Sequence, residues 1–311
     1  MPALSGKAFA KVNLGLRILE RRPDGFHELR TVFQTISLAD RLRVSHEPGG
    51  EARVELRCSD PALESDDNLA ARAARELLAR TGCGGTVRIE LEKRIPHGAG
   101  LGGGSSDAAA VLTALDRLLE PKPSGAVLYQ AAAALGSDVP FFLLGGRAVG
   151  LGRGEEVYPL PETPAQWMLL LVPGVRVATA EAYRNLAAAR GGALTPDRKG
   201  FIVSSFCSGF RAPEAAEPRV GADWANDFEE TVFQSLPDLE LLKQRLREAG
   251  AACALLSGSG SALFGMFGSR QEALAARRRF KSPGSDAGLK THVVRTVGSR
   301  ECRRSWNGEK R

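Results

Sequence analysis

Apolar residues alternate with other residues along much of the first third of the chain, a spacing typical of half-buried β-strands. This pattern predicts strands at residues 12–18, 31–44, 52–58 and 87–91, the second of them interrupted near Ala39-Asp40. Three later apolar segments predict strands at residues 167–172, 262–267 and 290–297.

Helical spacing of apolar residues appears between and after these strands. Residues 69–78 place leucines and alanines on one helix face, and Asn68 before them is a residue type that caps helix starts. Further segments predict helices at residues 105–120, 125–135, 179–189, 229–249 and 271–280. Strands and helices that mix without strict βαβ alternation favour an α+β fold over a doubly wound sheet.

The placement of prolines predicts how the chain divides. Three prolines at residues 159–164 mark a boundary between an N-terminal domain, residues 1–160, and a C-terminal domain, residues 161–298. Residues 190–222 mix glycine, proline and charge, which predicts a long loop. Residues 299–311 are polar and basic, which predicts a disordered tail.

The formal net charge of +6 arises from one end of the 311-residue chain. Residues 270–311 carry a net charge of +8, whereas the remaining residues carry −2. This distribution argues against a basic surface across a whole domain, as nucleic-acid-binding domains have.

Cysteine usage and hydropathy favour a cytoplasmic protein with free thiols. The five cysteines are odd in number, and no two form a CxxC pair. The first residues lack an apolar core of signal-peptide length. The longest uncharged run, residues 249–269, contains five glycines and four serines, so we interpret it as a loop and a buried strand rather than a membrane helix.

The glycine-rich stretch at residues 96–106, between a predicted strand and a predicted helix, carries the most chemical information. Four of the five residues from Gly100 to Gly104 are glycine, and Ser105 and Ser106 follow. Such a loop lets backbone N–H groups surround an anion, and the helix dipole adds about half a positive charge there. We interpret the stretch as a polyphosphate-binding loop.

Other kinds of glycine-rich loop fit this stretch less well. Gly98, Gly100 and Gly103 match the spacing of the dinucleotide fingerprint, but no acidic strand end follows about twenty residues later. A Walker A loop is excluded because no lysine follows the glycines. A glycine-rich turn without a ligand remains the alternative.

The stretch resembles the ATP-binding motif of the galactokinase, homoserine kinase, mevalonate kinase and phosphomevalonate kinase superfamily. Residues 10–29, 135–142 and 256–261 are similar to further motifs of its members, so the resemblance spans residues 8–267. It implies an ATP-dependent kinase with Mg²⁺ as a second cofactor. It also implies a two-domain α+β fold, with an N-terminal ribosomal-protein-S5-like α/β domain and a C-terminal ferredoxin-like α+β domain.

Gly25-Phe26-His27 resembles the motif of superfamily members that act on cytidine diphosphate methylerythritol, and this resemblance implies that acceptor, phosphorylated at its 2-hydroxyl. By resemblance, Phe26 stacks on the cytosine ring and His27 forms a hydrogen bond to it. Asn13 would help hold the diphosphate, and Thr179 would lie near the erythritol part.

The resemblance also implies two catalytic residues. Asp138 would take the proton of the acceptor hydroxyl, and Lys11 beside it would keep that carboxylate ionised and stabilise transferred charge. Ser106 is the one suggested ligand for Mg²⁺. The implied ATP-binding residues are Pro96, His97, Gly98, Ala99, Gly100, Leu101, Gly102, Gly103, Gly104, Ser105, Ser106, Asn68 and Lys93.

Simpler explanations remain open for several of these residues. Asp138 fits a surface turn, Lys11 a solvated strand edge and Phe26 a core position. Asn68 fits a helix start. The alternative functions are a kinase of another small alcohol, such as homoserine or mevalonate, and an RNA- or ribosome-binding protein. The favoured reading has a small-molecule substrate, no nucleic-acid or membrane partner, and a monomer or homodimer.

Overall fold

A computed structural model of the chain describes residues 2–190, 224–280 and 288–308. The loop predicted at residues 190–222 therefore lies, apart from Arg190, outside the described residues. The strands are β1 (Ala3–Arg21), β2 (His27–Glu47), β3 (Arg53–Cys58), β4 (Thr86–Glu92), β5 (Arg147–Leu151), β6 (Glu156–Pro159), β7 (Trp167–Val172), β8 (Cys253–Leu256), β9 (Leu263–Phe267), β10 (Lys290–Arg295) and β11 (Asn307–Gly308). The helices are α1 (Leu69–Thr81), α2 (Gly103–Leu118), α3 (Gly125–Leu135), α4 (Val139–Leu144), α5 (Thr179–Ala189), α6 (Glu229–Ser235), α7 (Pro237–Glu248), α8 (Arg270–Arg279) and α9 (Ser299–Arg304).

The first sheet is built on β1 and β2, two long strands that form an antiparallel hairpin. Its order is β11-β1-β2-β4-β3, and β5 pairs with β2 and with β6. The interruption predicted near Ala39-Asp40 does not break β2. Instead, the β1–β2 register shifts between Phe9 and Lys11, opposite Ala39 and Thr35. Such an irregularity lets a strand bend without ending.

Helices α1, α2 and α3 contribute to the core on one face of this sheet. As predicted, α1 is amphipathic: Ala73, Leu77 and Leu78 are buried, and they pack with Val87 and Ile89 of β4. No helix among the described residues is long and apolar enough to cross a membrane.

The second sheet has the order β10-β7-β9-β8, and all its neighbouring strands are antiparallel. Met168 and Phe264 of this sheet share an apolar core with Val12 and Leu14 of β1. The other side of the sheet packs against helices, with Leu169 in a core that includes residues of α5, α6, α7 and α8. The expected α+β fold with two sheet-based units is confirmed.

The single helix predicted at residues 229–249 is wrong, because the structure has two helices there. Leu236 leaves the helical region, with φ −136° and ψ 75°, and Pro237 starts α7. Proline disfavours helical backbone in the residue before it and lacks an N–H donor, so the helix ends there and a new one begins.

The prediction of a disordered tail from residue 299 is also wrong for residues 299–308. Residues Ser299–Arg304 form α9, and Asn307 pairs with Ser5 of β1. Trp306 is only 9% exposed and packs in the core under the first sheet. Gly6 makes this possible, because a Cβ there would lie 2.3 Å from the Trp306 ring. The charge of this segment is carried by α9, whose basic Arg303 and Arg304 are exposed.

We predict that Trp306→Ala destabilises the protein by about 3 kcal/mol, the usual cost of removing a large buried aromatic ring. Urea unfolding followed by circular dichroism measures this loss. Arg304→Ala, an exposed change in the same segment, should stay within about 0.5 kcal/mol of the wild type. Equal stabilities of the Trp306 variant and the wild type would contradict docking of the C-terminal segment.

Candidate active site

A cleft of about 800 Å³ brings together residues that lie far apart in the sequence, from Lys11 to Ser259. β1, β2, α5 and the loop between β8 and β9 all contribute to its walls. Of the residues predicted from the sequence, the cleft is lined by Lys11, Asn13, Phe26, His27, Gly100, Gly102, Ser105, Asp138 and Thr179.

Lys11 and Asp138 form an ion pair in this cleft. The Lys11 ammonium nitrogen lies 3.4 Å from Asp138 Oδ2. Lys11 also donates to Asn13 Oδ1 at 2.7 Å, and Asn13 donates to Thr31 Oγ1 at 2.7 Å. Lys11 is only 4% exposed, so its charge depends on these partners, whereas about a third of the Asp138 side chain faces solvent. The carboxylate therefore remains accessible to a molecule in the cleft.

The glycine loop (residues 96–106) packs between β1 and the third-motif loop (residues 256–261). Lys11 N donates to Leu101 O at 3.0 Å, and Ser257 Oγ donates to Gly100 O at 3.0 Å. Gly100 has φ +76°, and a Cβ there would lie 2.1 Å from Ser257 O. Only glycine fits this position, which explains one glycine of the loop by close packing as well as by backbone conformation.

Helix α2 begins at Gly103, two residues before the predicted start. Its N-cap is Gly102 in the left-handed region, and no side chain caps the helix. The first N–H groups of a helix have no partner within the helix, so they can bind the oxygens of an anion. This geometry fits the polyphosphate predicted for the loop.

Aromatic rings and cations also line the cleft. Phe26 is 53% exposed, and the Arg153 guanidinium carbon lies 4.8 Å from its ring centroid. His27 stacks on Tyr183 with centroids 5.2 Å apart. Burial, together with the charge of Arg21, lowers the pKa of His27. A neutral imidazole has both a donor and an acceptor, which suits contact with a heterocyclic base.

Comparisons with known proteins agree with this arrangement. Residues 68–146 match the family of GHMP kinases, N-terminal domain, and residues 209–286 match GHMP kinases, C-terminal. The chain is 46% identical to the 4-diphosphocytidyl-2-C-methyl-D-erythritol kinase of Solibacter usitatus (strain Ellin6076), over 96% of this chain and 90% of that protein. The corresponding enzyme of Moorella thermoacetica (strain ATCC 39073 / JCM 9320) is 40% identical, with 96% and 100% covered.

A crystal structure of 4-(cytidine 5'-diphospho)-2C-methyl-D-erythritol kinase is similar along nearly the whole chain. Its TM-score is 0.75 at 38% identity, with 94% of this chain and 99% of that chain covered. The chain belongs to the 4-diphosphocytidyl-2-C-methyl-D-erythritol kinase family of the GHMP kinases. The resemblance inferred from the sequence motifs is confirmed.

Three residues that the sequence analysis placed at the nucleotide site of this GHMP kinase have other partners in the structure. Asn68 caps α1: its side-chain oxygen accepts from Ala70 N at 2.9 Å. Ser106 is 3% exposed, and its hydroxyl donates to Phe9 O at 2.7 Å. Asn68 therefore caps the start of α1, and the Ser106 hydroxyl hydrogen is bound by Phe9 O. A role of either residue at the ATP or metal site stays a prediction.

Lys93 lies in a buried ionic cluster, in which its ammonium group is paired with two carboxylates. Its nitrogen is 2.5 Å from Asp40 and 2.6 Å from Asp107. Burial lowers the pKa of Lys93, but the two carboxylates outweigh it and the net pKa is raised. Asp40 also accepts from Arg94 N and Ile95 N, so the cluster anchors the chain where it enters the glycine loop. The binding of ATP by Lys93 and by the exposed His97 stays a prediction.

Tyr183 is a cleft residue that the sequence analysis missed in this GHMP kinase. Burial, and then the charge of Asp138, raise its pKa to about 12. It follows Thr179 by four residues on α5, so both face the cleft. That helical spacing is the signal from which Tyr183 could have been found. Thr179 itself lies 2.9 Å from Ser259, oxygen to oxygen.

We predict that Tyr183 acts through its ring. With a pKa of about 12 the hydroxyl stays protonated at assay pH. Tyr183→Phe should therefore keep kcat and both KM values within about twofold of the wild type. Tyr183→Ala removes the ring that His27 stacks on and should raise the KM for the acceptor about tenfold, as expected for about 1.4 kcal/mol of lost stacking.

Steady-state kinetics with each substrate varied in turn measure both variants. A Phe variant as impaired as the Ala variant would show that the hydroxyl, and not the ring, is what matters.

Proposed function

We propose that this protein transfers the γ-phosphoryl group of ATP to the 2-hydroxyl of 4-diphosphocytidyl-2-C-methyl-D-erythritol, a step of non-mevalonate isoprenoid precursor biosynthesis. The observation that carries the proposal is the Lys11–Asp138 ion pair, 3.4 Å apart. It lies in a cleft that is lined by the glycine loop as well as by Phe26 and His27.

The acceptor's cytosine would bind against the exposed Phe26 ring, within reach of the neutral His27 imidazole. Arg153 stacks on Phe26 and is held by Glu155 at 3.2 Å, so the ring is supported on one side. Arg21 and Arg184 also line the cleft and give it positive charge for a diphosphate. The erythritol part would then reach toward Thr179 and Asp138.

Asp138 would accept the proton of the attacking hydroxyl and orient it, as a base does in phosphoryl transfer. Lys11 would stabilise the negative charge that develops on the transferring group, which is effective because Lys11 is buried. Asn13 and Thr31 fix the Lys11 ammonium through consecutive hydrogen bonds. The products would be ADP and the 2-phosphate of the acceptor.

The phosphates of ATP would bind the uncapped start of α2 and the N–H groups of the glycine loop. Among the described residues no group of three His, Cys, Asp or Glu side chains is placed to hold a metal ion. We therefore expect Mg²⁺ to be held chiefly by phosphate oxygens, and of the two serines only Ser105 lines the cleft, where it could contribute its hydroxyl. Bound there, the metal would offset phosphate charge.

Two alternative functions guide the choice of experiment. A kinase for homoserine or mevalonate would not need the Phe26 and His27 end of the cleft. An RNA-binding protein would use the basic C-terminal region and would not need the Lys11–Asp138 pair in the cleft. We propose a monomeric or homodimeric cytoplasmic enzyme that binds no nucleic acid.

An ADP-release assay with a substrate panel tests the proposal. The purified protein, supplied with MgATP, should release ADP rapidly with the cytidylyl acceptor and at background rate with homoserine or mevalonate. Preference for either small alcohol would reject the proposed acceptor. Absence of ADP release with all three, together with salt-sensitive RNA binding, would favour the alternative class of function.

We predict that Asp138→Asn lowers kcat by about 10²-fold or more, because the amide cannot accept the hydroxyl proton. The affinity for ATP should change little. Asp238→Asn, an equivalent change at an exposed position in the first turn of α7, is the control and should behave as the wild type. Normal turnover of the Asp138 variant would remove this residue from the mechanism.

We predict that Phe26→Ala raises the KM for the acceptor about tenfold, since the base loses its stacking partner. The KM for ATP should stay near its wild-type value. Phe26→Tyr keeps the ring and should restore the acceptor KM, and Tyr129→Ala controls for loss of an exposed aromatic elsewhere. Equal losses for both substrates would mean that Phe26 serves the fold and not the acceptor.

A further inference from the structure

Asn226, which no sequence motif singled out, is a buried residue behind the cleft. It is 3% exposed, and its side-chain amide has partners at both ends. Nδ2 donates to Leu256 O at 2.8 Å and to Gly258 O at 2.7 Å, while Oδ1 accepts from Phe228 N at 3.0 Å. One amide thus binds two carbonyls of the third-motif loop.

The backbone on either side of Asn226 is attached to β1. Leu16 N donates to Ala225 O at 2.9 Å, and Asp227 N donates to Leu16 O at 3.0 Å. The Asp227 carboxylate accepts from Ile18 N at 2.9 Å and pairs with Arg17. Asn226 therefore links the third-motif loop to the strand that carries Lys11.

The loop that Asn226 holds lies next to the reacting groups. A Cβ built on Gly258 would lie 3.5 Å from both Lys11 Nζ and Asn13 Oδ1. Ser257 Oγ donates to Gly100 O at 3.0 Å, which connects the same loop to the glycine loop. A shift of the third-motif loop would therefore move the glycine loop relative to Lys11.

We propose that Asn226 is a positioning residue for phosphoryl transfer, which fixes the third-motif loop and the glycine loop relative to Lys11. The proposal rests on the proposed function, since it concerns the same site. Asn226 is not among the residues that line the cleft, so its effect would pass through Gly258 and Ser257. Two donors on one side chain are required, because two carbonyls from one loop must be bound together.

Asn226→Asp is the informative variant, because it keeps the shape but replaces the two donor hydrogens with an oxygen that faces two carbonyl oxygens. We expect kcat to fall at least tenfold per folded molecule, with the KM for each substrate changed less than threefold, because the transfer geometry changes and the binding ends of the cleft do not. Asn226→Ala, which lacks both donors and the charge, should show the same split.

Leu239→Ala is the matched control. Leu239 is buried in the core around α7, which it shares with Leu256, and its apolar side chain can form no hydrogen bond to the third-motif loop. This variant should lower the melting temperature while leaving kcat per folded molecule unchanged. Ser257→Ala, which removes the bond to Gly100, should lower kcat, and the double variant with Asn226→Ala should lose less than the product of the two single losses.

The outcomes separate this inference from the proposed function. An inactive wild type in the presence of the cytidylyl acceptor and MgATP would reject the function itself. The positioning role would be overturned if the wild type is active and a folded Asn226 variant keeps the wild-type kcat. Such a variant would show only a lower melting temperature, as Leu239→Ala does. If Asn226→Asp fails to fold, the test uses the kcat of Asn226→Ala and of its double variant with Ser257→Ala. Losses in kcat that multiply fully in the double variant would contradict the proposal.

Discussion

The close packing of the glycine loop between β1 and the third-motif loop is the constraint on which the site depends. At Gly100 the two loops approach so closely that a single methyl group would collide with Ser257 O. Lys11 N bonds the same loop from the other side, at Leu101 O. These contacts hold together β1, which carries Lys11, the glycine loop and the third-motif loop, although the three segments lie far apart in the sequence.

Electrostatics adds a second constraint. A buried lysine is costly unless a carboxylate and hydrogen-bond acceptors surround it, and Lys11 has Asp138 and Asn13 for this purpose. Near the same loop, Lys93 with Asp40 and Asp107 forms a separate buried cluster, in which burial raises the pKa of Asp107. The Lys11–Asp138 pair is open to the cleft and can therefore take part in a reaction. The cluster around Lys93 is buried and can anchor the glycine loop.

Local pattern was enough to predict most elements, because alternation and helical spacing report which side chains are buried. It failed where a tertiary contact or a single residue decided the outcome. Pro237 divides one stretch of helical spacing into α6 and α7. Trp306 orders a basic segment through a pocket beside Gly6, a contact across the whole chain that no local pattern reports.

The same distinction applies to the site. Glycine and motif residues were predicted because a loop that binds phosphate needs a local sequence signature. Ser106 bonds to Phe9, and Lys93 pairs with Asp40 and Asp107. Phe9 and Asp40 are far in the sequence from the residues they bind, so only the fold brings them together. Tyr183 and Asn226 carried no motif. Their importance comes from where α5 and the segment before α6 are placed, so the structure was needed to find them.

The central claim is that Lys11 and Asp138 act as one unit in phosphoryl transfer. A double-mutant cycle on kcat tests it most directly, with Lys11→Met, Asp138→Asn and the double variant measured at saturating concentrations of both substrates. If the residues act as a unit, the double variant should be no more than about threefold slower than the slower single variant. Losses that multiply would show that the two residues contribute independently and would contradict the account.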